Sequence, residues 1–548
     1  MKVLEGKSVF RDICEGPLFF YRGGEALAER HPVEDKAEEL ERFARARRIA
    51  VMQLGELYDR TMEDVGAANA AIFEIHQMMV EDPEYVASVE NMVNTQGVNL
   101  EYAIQITGEN MSRMFHSMED AYMRERAQDV RDISQRLLKI LTGQKTSKAF
   151  RQEFPEEPSI IVADDLMPSE TVQLSRHLVL GFLMRRGSTD SHTAILARSM
   201  GIPALVCVGQ ELSEEYDGSR AIVDGYAGIL YVEPDAATRE AMREKKEQSD
   251  RHVAMLHTLK GQENVTRDGR CIKVFANAGS LEDVEAALLN DAGGIGLLRS
   301  EILYLGRDSA PDEETQADFY RQVLERMQGR EVVIRTMDIG ADKKVPYLGL
   351  EREANPALGL RAIRLGLQNR ELLRTQLRAL YRAGIYGKLS IMYPMITSPE
   401  EIEKIREIEE EARRELDREG IPFAKNLPTG IMIETPAAAL LSDRLAEMVD
   451  FFSVGTNDLT QYTLALDRQN GALACFDDPE HRAVMKLIEM AAENARRAGI
   501  WIGICGELAA DPALTEQFLR MGIDELSVAP ASVLSLRQRV RELDLGKK

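Results

Sequence analysis

One histidine of the chain stands where an imidazole could act as a nucleophile, or could simply be a surface histidine in a helix cap. In Gly187-Ser-Thr-Asp-Ser-His-Thr-Ala-Ile-Leu-Ala-Arg-Ser-Met-Gly-Ile-Pro203, a polar, glycine-led turn runs into an apolar helical run, and His192 sits at the join. Asp190 and Ser191 are good N-cap residues, and Ala194 to Ala197 can start a helix. The imidazole there has a free ring nitrogen as a nucleophile. A phosphoryl group carried on it would meet unpaired backbone N–H donors and the positive end of the helix dipole.

A second set of reactive residue types is spread over the C-terminal half. Four arginines, Arg299, Arg335, Arg361 and Arg468, accompany the carboxylates Glu434 and Asp458, with Asn457 and Cys505 in the same half of the chain. Guanidinium groups hold phosphate and carboxylate by forked hydrogen bonds. Hard oxygen ligands, completed by substrate oxygens, suit Mg²⁺. Such a set calls for a small substrate that carries both phosphate and carboxylate and needs a metal.

These residues need a scaffold that brings them together. From Cys271 onward apolar strands alternate with amphipathic helices. The expected strands are Ile272-Lys-Val-Phe-Ala-Asn, Gly294-Ile-Gly-Leu-Leu-Arg, Val332-Val-Ile-Arg-Thr-Met, a short one near Gly359-Leu-Arg, Leu389-Ser-Ile-Met-Tyr-Pro, Thr429-Gly-Ile-Met-Ile-Glu, Phe451-Phe-Ser-Val-Gly-Thr and Trp501-Ile-Gly-Ile-Cys. Eight such repeats predict a β/α barrel, whose active site lies in the loops after the strand C-termini. Arg299 and Glu301 then end the second strand, and Arg335 and Asp338 the third. Arg361 lies near the fourth, Glu434 ends the sixth, Asn457 and Asp458 the seventh, and Cys505 and Glu507 the eighth, with Arg468 in the loop after the seventh. Gly293-Gly-Ile-Gly is no dinucleotide fingerprint, because Arg299 stands where the third glycine should be.

The N-terminal half reads differently. Ser159-Ile-Ile-Val-Ala, His177-Leu-Val-Leu-Gly-Phe-Leu, Ile202-Pro-Ala-Leu-Val-Cys-Val and Arg220-Ala-Ile-Val-Asp-Gly-Tyr-Ala-Gly-Ile-Leu-Tyr-Val are strand candidates around the His192 stretch, with an Asp224-Gly225 turn. Short apolar pieces in the first thirty or so residues cannot form a core alone and are expected to join that sheet. Between them the pattern is helical, as in Glu38-Glu-Leu-Glu-Arg-Phe-Ala-Arg-Ala-Arg-Arg-Ile-Ala, and predicts about four antiparallel helices. His76 and His116 fall on helix faces and read as packing or surface residues. Glu240-Ala-Met-Arg-Glu-Lys-Lys-Glu-Gln reads as an exposed linker helix.

Composition narrows the classes. The chain has 548 residues, 44% hydrophobic and 29% charged, with a net charge of −23. That describes a multidomain globular protein whose acidic surface argues against nucleic acid and anionic membranes and would suit a basic partner. Cys14, Cys207, Cys271, Cys475 and Cys505 form no C-x-x-C pair, which suits a reducing cytoplasm. No secretory signal and no membrane insertion are expected, since no apolar run approaches the ~18 residues of a span.

The His192 string resembles the phosphohistidine signature shared by Enzyme I of the phosphoenolpyruvate:sugar phosphotransferase system, pyruvate phosphate dikinase and phosphoenolpyruvate synthase. Gly455-Thr-Asn-Asp-Leu-Thr-Gln-Tyr-Thr-Leu-Ala-Leu-Asp-Arg468 is similar to that family's phosphoenolpyruvate-domain signature. Ile433-Glu-Thr-Pro-Ala-Ala, Thr336-Met-Asp-Ile-Gly and Gly359-Leu-Arg-Ala-Ile-Arg match further family blocks. No P-loop pattern appears, and a helical insertion takes up the space an ATP-binding domain would need, which is the Enzyme I arrangement.

This resemblance implies a multidomain α/β protein. Residues 1–31 and 145–233 would form a swivelling phosphohistidine domain, and 32–144 a helical insertion that docks the carrier protein HPr. Residues 234–268 would be a linker helix, and 269–548 a phosphoenolpyruvate-binding (β/α)8 barrel that also makes a homodimer. It further implies that His192 accepts the phosphoryl group. Arg299, Arg335, Arg361, Asn457, Asp458 and Arg468 would contact phosphoenolpyruvate, Glu434 and Asp458 would ligate Mg²⁺, and Cys505 would protonate the enolate carbon. Phosphate would pass to HPr as the first step of sugar uptake. Ser188 and Asp190 depart from the family pattern, which commonly has a glycine and a threonine there. Asp190 either caps the helix or orients the second ring nitrogen of His192.

Overall fold

The computed structural model describes residues 1–548 apart from 22–27, 66, 119–120, 143–154, 156, 165, 167–175, 188–190, 192, 195–196, 199–200, 308, 344, 352, 469, 471–472, 474–475, 477 and 547–548. It divides into two units, Met1–Arg251 and His252–Lys548.

The first unit is built on an eight-stranded sheet. Its strands are β1 (Lys2–Glu5), β2 (Lys7–Phe10), β3 (Ile13–Phe20), β4 (Ser159–Ala163), β5 (Val179–Met184), β6 (Ala204–Val206), β7 (Arg220–Asp224) and β8 (Ile229–Val232), in the spatial order β1-β8-β7-β3-β4-β5-β6-β2. The first strands do join the later ones. β3 lies parallel to β4, with Leu18 opposite Ile160, and antiparallel to β7. β4 is buried throughout because apolar clusters cover both faces of the sheet. One cluster gathers Ile161, Phe182 and Val206, the other Leu18, Ile160 and Leu183. Full burial on both faces explains the unbroken apolar run in Ser159-Ile-Ile-Val-Ala.

Among the described residues, five helices, α1 (Lys36–Val65), α2 (Ala67–Glu81), α3 (Pro83–Gln96), α4 (Leu100–His116) and α5 (Ala121–Leu141), occupy the interval between β3 and β4, against the four or so expected. Their core includes Phe43, Leu54, Phe73, Tyr85, Ile104 and Leu137. Helix α3 shows why the chain breaks where it does. Asp82 accepts the N–H groups of Glu84 and Tyr85, Pro83 opens the helix, and Gly97 closes it at φ 61°. His76 is fully buried, with Nε2 3.2 Å from Asp129 and Nδ1 3.9 Å from Asp132. His116 is exposed in the last turn of α4.

The second unit is a closed barrel of parallel strands, β9 (Lys273–Ala278), β10 (Gly294–Arg299), β11 (Glu331–Arg335), β12 (Lys388–Tyr393), β13 (Thr429–Ile433), β14 (Phe451–Val454), β15 (Trp501–Ile504) and β16 (Glu525–Val528). The barrel stands as expected, but two strand assignments change. The segment near Gly359-Leu-Arg is no strand. A 3-10 turn at Pro356–Leu358 and a left-handed Ala362 (φ 51°) make it a loop that leads into the helix Ala362–Gln368. The missing strand is β16, which closes the barrel onto β9. Its Glu-Leu-Ser-Val lacks the apolar run of a buried parallel strand, because the barrel interior accepts Glu525 and Ser527. Leu526 and Val528 join the apolar core between strands and helices. Glu434 therefore follows the fifth strand of the barrel, Asn457 and Asp458 the sixth, and Cys505 the seventh.

Candidate active site

The strand C-termini deliver their polar residues to one cavity of about 1020 Å³. Arg299 and Arg335 are the last residues of β10 and β11, and Glu434 directly follows β13. Asn457 and Asp458 lie in the first turn of the helix Thr456–Leu464 after β14, and Cys505 directly follows β15. Arg361 is the N-cap of Ala362–Gln368. Arg468 comes after the left-handed Ala465 that ends the Thr456–Leu464 helix. All eight line the cavity, with Glu301, Asp338 and Glu507. His192 lies outside the described residues, as do Ser188 and Asp190.

Two of the arginines are locked in place. Arg335 Nη2 donates to Glu301 Oε1 at 2.7 Å, and its Nη1 is 3.3 Å from Asp338. Arg361 Nη2 reaches both Asp338 oxygens, at 2.8 and 2.9 Å. Lys343 caps the group, donating to the Asp338 carbonyl at 2.8 Å. Burial works against the Arg335 charge, but Glu301, Asp338 and Glu434 outweigh it and hold its pKa above the ordinary value. Burial would likewise raise the Asp338 carboxyl. Arg335, Arg361 and Lys343 reverse that and keep it low. Arg299 and Arg468 are exposed at the cavity. The cavity thus presents two preset guanidinium groups and two free to move.

Glu434 and Asp458 behave as a pair short of a cation. Glu434 Oε1 accepts the Met395 N–H at 2.6 Å, while Glu434 Oε2 and Asp458 Oδ1 are buried with no hydrogen-bond partner among the described residues. Burial, then Asp458 and Asp338, push the Glu434 carboxyl up to about 8. A divalent cation that prefers oxygen would satisfy both orphaned oxygens and relieve the repulsion.

Cys505 is 4% exposed, and its thiol points to the Val454 carbonyl at 3.6 Å. Burial pushes its pKa up to about 12, partly offset by Ser453. It is therefore a protonated thiol at neutral pH. Asn457 is fixed by a reciprocal pair with Glu507, with Nδ2 donating at 2.9 Å and Oδ1 accepting the Glu507 N–H at 3.2 Å.

Sequence reasoning missed Tyr462 and Lys343, which line the same cavity. Tyr462 donates to the Ala357 carbonyl at 2.5 Å and accepts from Arg361 Nη1 at 3.5 Å, tying the 351–361 loop to the site. The clue was its place inside the Asn457-to-Arg468 string. Around His192, the described residue that caps is Ser191, and the two roles expected for Asp190 fall on a residue outside the described ones. Ser191 Oγ accepts the Ala194 N–H at 3.3 Å, and Ala194 and Ala197 are buried.

A barrel whose strand ends collect arginines, paired carboxylates and a buried thiol, carried on one chain with a separate α/β unit, defines a class of multidomain enzymes for small phosphorylated carboxylates. Comparison with known proteins narrows it. Residues 5–126 match the family described as PEP-utilising enzyme, N-terminal, residues 155–228 its mobile domain, and residues 253–545 its PEP-binding domain. A phosphoenolpyruvate-protein phosphotransferase of Bacillus sp. (strain S) is 39% identical over 99% of this chain and 93% of its own length. Those of Geobacillus stearothermophilus (39%, over 99% and 93%) and Bacillus subtilis strain 168 (38%, over 99% and 95%) are similar to the same extent. The chain belongs to this family of PEP-utilising phosphotransferases. Among the described residues no helix is long and apolar enough to cross a membrane.

Proposed function

We propose that this chain moves the phosphoryl group of phosphoenolpyruvate to His192, and then to a histidine of the carrier protein HPr, releasing pyruvate. One observation carries the reading. Four arginines, two carboxylates with orphaned oxygens and a protonated thiol line the same cavity.

In this reading Arg335 and Arg361, already anchored on Glu301 and Asp338, meet the substrate with no ordering cost at the moment of binding. Arg299 and Arg468, exposed at the cavity, close on the phosphate. Asn457, held by Glu507, turns its amide toward the same group. Glu434 and Asp458 would hold Mg²⁺, which when bound neutralises phosphate charge as a Lewis acid. The P–O bond breaks as the His192 N–P bond forms, and the enolate of pyruvate takes the Cys505 proton at its methylene carbon. His192, from the other unit, serves both the donor and the carrier, so its domain must move between them. Residues 32–144 are the proposed HPr dock, and the barrel the proposed homodimer contact.

Incubation with ³²P-labelled phosphoenolpyruvate and Mg²⁺ tests this. The expected product is an acid-labile phosphoprotein, absent in His192→Ala although that variant still binds phosphoenolpyruvate. A His192→Ala chain labelled like the wild type would reject the assignment.

A further inference from the structure

The main chain at Cys505 is held by a side chain that reaches it across a whole strand. β16 lies between β15 and β9 in the barrel. Asn277 is the last residue but one of β9, and Cys505 directly follows β15. The Asn277 amide spans the strand between them. Its Nδ2 donates to the Cys505 carbonyl at 3.0 Å and to the Ser527 carbonyl of β16 at 3.3 Å. Ser527 Oγ, fully buried, donates to Asn277 Oδ1 at 2.8 Å. Carbonyl oxygens can face only the N–H₂ of an amide, so these partners fix one orientation for it. Barrel interiors are ordinarily filled by branched apolar side chains. Leu297, Val333, Met392 and Met432 pack with Cys505 as that rule expects, whereas Asn277 and Ser527 depart from it.

The amide stands where the strand ladder stops. The pairing of β15 with β16 ends at Ile504 opposite Leu526, one residue before Cys505. The Cys505 carbonyl therefore takes its donor from Asn277. On the β14 side the Cys505 N–H donates to the Val454 carbonyl at 3.1 Å, and the thiol points to the same oxygen. The chain just beyond is held as closely. A Cβ on Gly506 would lie 1.9 Å from Thr456 Oγ1, and the Glu507 N–H donates to Asn457. With its backbone pinned on both sides, Cys505 can move its sulfur only by turning about χ1 between staggered positions.

Proton transfer to carbon places a strict demand on geometry. A methylene carbon is a poor hydrogen-bond acceptor, so it does not draw the donor in, and the protein has to hold the thiol against it. We infer that Asn277 is the positioning residue that aims the Cys505 thiol at the substrate carbon, with Ser527 setting the direction of its amide. Cys505 lines the cavity, and neither Asn277 nor Ser527 is among the described residues that do. Asn277 therefore acts through the Cys505 main chain and not on the substrate. Removing its donor leaves the Cys505 carbonyl free to turn, and the sulfur turns with it. The arginines and the paired carboxylates, on other strand ends, keep their places.

This inference rests on the proposed function, and its test separates the two. The full chain is rapidly mixed with excess phosphoenolpyruvate and Mg²⁺ and without HPr, so that each chain forms pyruvate once. The rate of that burst at rising phosphoenolpyruvate gives a maximum and a half-saturating concentration. Asn277→Ala should lower the maximum by about tenfold or more and leave the half-saturating concentration within about twofold, because only the thiol loses its aim. Asn277→Asp keeps the shape and the Ser527 bond, but its carboxylate has no donor for the two carbonyls. It should show the same loss, and it carries the test if urea melts show that Asn277→Ala does not fold. A folded variant whose maximum stays within about twofold of the wild type would overturn the inference. So would a half-saturating concentration that rises as far as the maximum falls, which marks a general disturbance of the site. A Cys505→Ala chain with a wild-type burst would overturn the acid assignment in the functional reading, and the inference with it. A slow Cys505→Ala beside an unimpaired Asn277→Ala would overturn the inference alone.

Discussion

Arg335 joins a structural role to its proposed part in binding. It is 7% exposed and stands between Glu301 and Asp338, so its charge is balanced before any substrate arrives. Removing it leaves Glu301 with Lys343 at 3.7 Å as its remaining cation, while Asp338 keeps Arg361. An uncompensated buried charge costs ~3–5 kcal/mol, more than the intact pair contributes over an apolar replacement. Arg335→Ala should therefore lose ~3 kcal/mol in urea unfolding and raise the KM for phosphoenolpyruvate by more than about tenfold. Arg335→Lys keeps a charge but not the planar fork, so it should recover much of the stability and little of the affinity. An Arg335→Ala protein as stable as the wild type would mean that Glu301 and Asp338 are relieved by protonation or water. Much of this site was legible beforehand as positions. Arginines and acids closing apolar runs could be read as strand ends. Their mutual pairing could not, because Glu301, Arg335, Asp338 and Arg361 meet only once the barrel has closed.

At the scale of elements, the barrel helices carry a charge ladder that reading one segment at a time does not expose. The helix Arg370–Ala383 places arginines at every fourth position, and Pro399–Glu419 presents glutamates at the same interval. They meet as Arg370–Glu411 at 2.9 Å, Arg374–Glu415 at 2.9 Å and Arg378–Glu419 at 2.6 Å. Arg378 also bonds Glu313 at 2.5 Å and has a side chain only 11% exposed, against 45% for Arg370. Networks with shielded members are worth more than isolated surface pairs. Arg378→Ala should cost ~1–2 kcal/mol and keep most of that cost in high salt, whereas Arg370→Ala should cost ~0.5 kcal/mol or less and lose it. Thermal melts of both variants at low and high ionic strength measure this, and equal costs would show that burial does not set the ladder's strength. The strand reading failed at the same scale and for a related reason. Gly359-Leu-Arg has strand-like composition, yet Pro356 and the left-handed Ala362 turn it into a loop. Glu525-Leu-Ser-Val looks too polar for a barrel strand, since its inward acid is matched by glycines on other strands that lie far away in sequence.

At the scale of the whole molecule, each of the two units has its own core, and the linker helix Ala236–His257 runs from one into the other. Its first part is fastened to the first unit. Arg239 pairs with Glu15 at 3.0 Å, Lys246 with Asp12 at 3.0 Å, and Lys245 with Asp224 at 2.5 Å. Asp224 is 1% exposed and also accepts the N–H groups of Tyr226 and Ala227, so it holds the β7–β8 turn. A fragment ending at residue 233 retains the sheet and the helical insertion but strips Lys245 from this buried carboxylate. One ending at residue 251 keeps all three pairs. Both fragments should fold, with 1–233 less stable by ~1–3 kcal/mol, most of it from Asp224. If phosphoryl exchange belongs to the first unit, the 1–251 fragment should trade phosphate with phosphorylated HPr and fail with phosphoenolpyruvate, whose proposed arginine contacts all lie beyond residue 298. Denaturant melts and labelled-phosphate exchange on the two fragments check both parts. Equal stability would mean that the linker helix contributes nothing to the first unit, and labelling of either fragment by phosphoenolpyruvate alone would place the donor site in the wrong half of the chain.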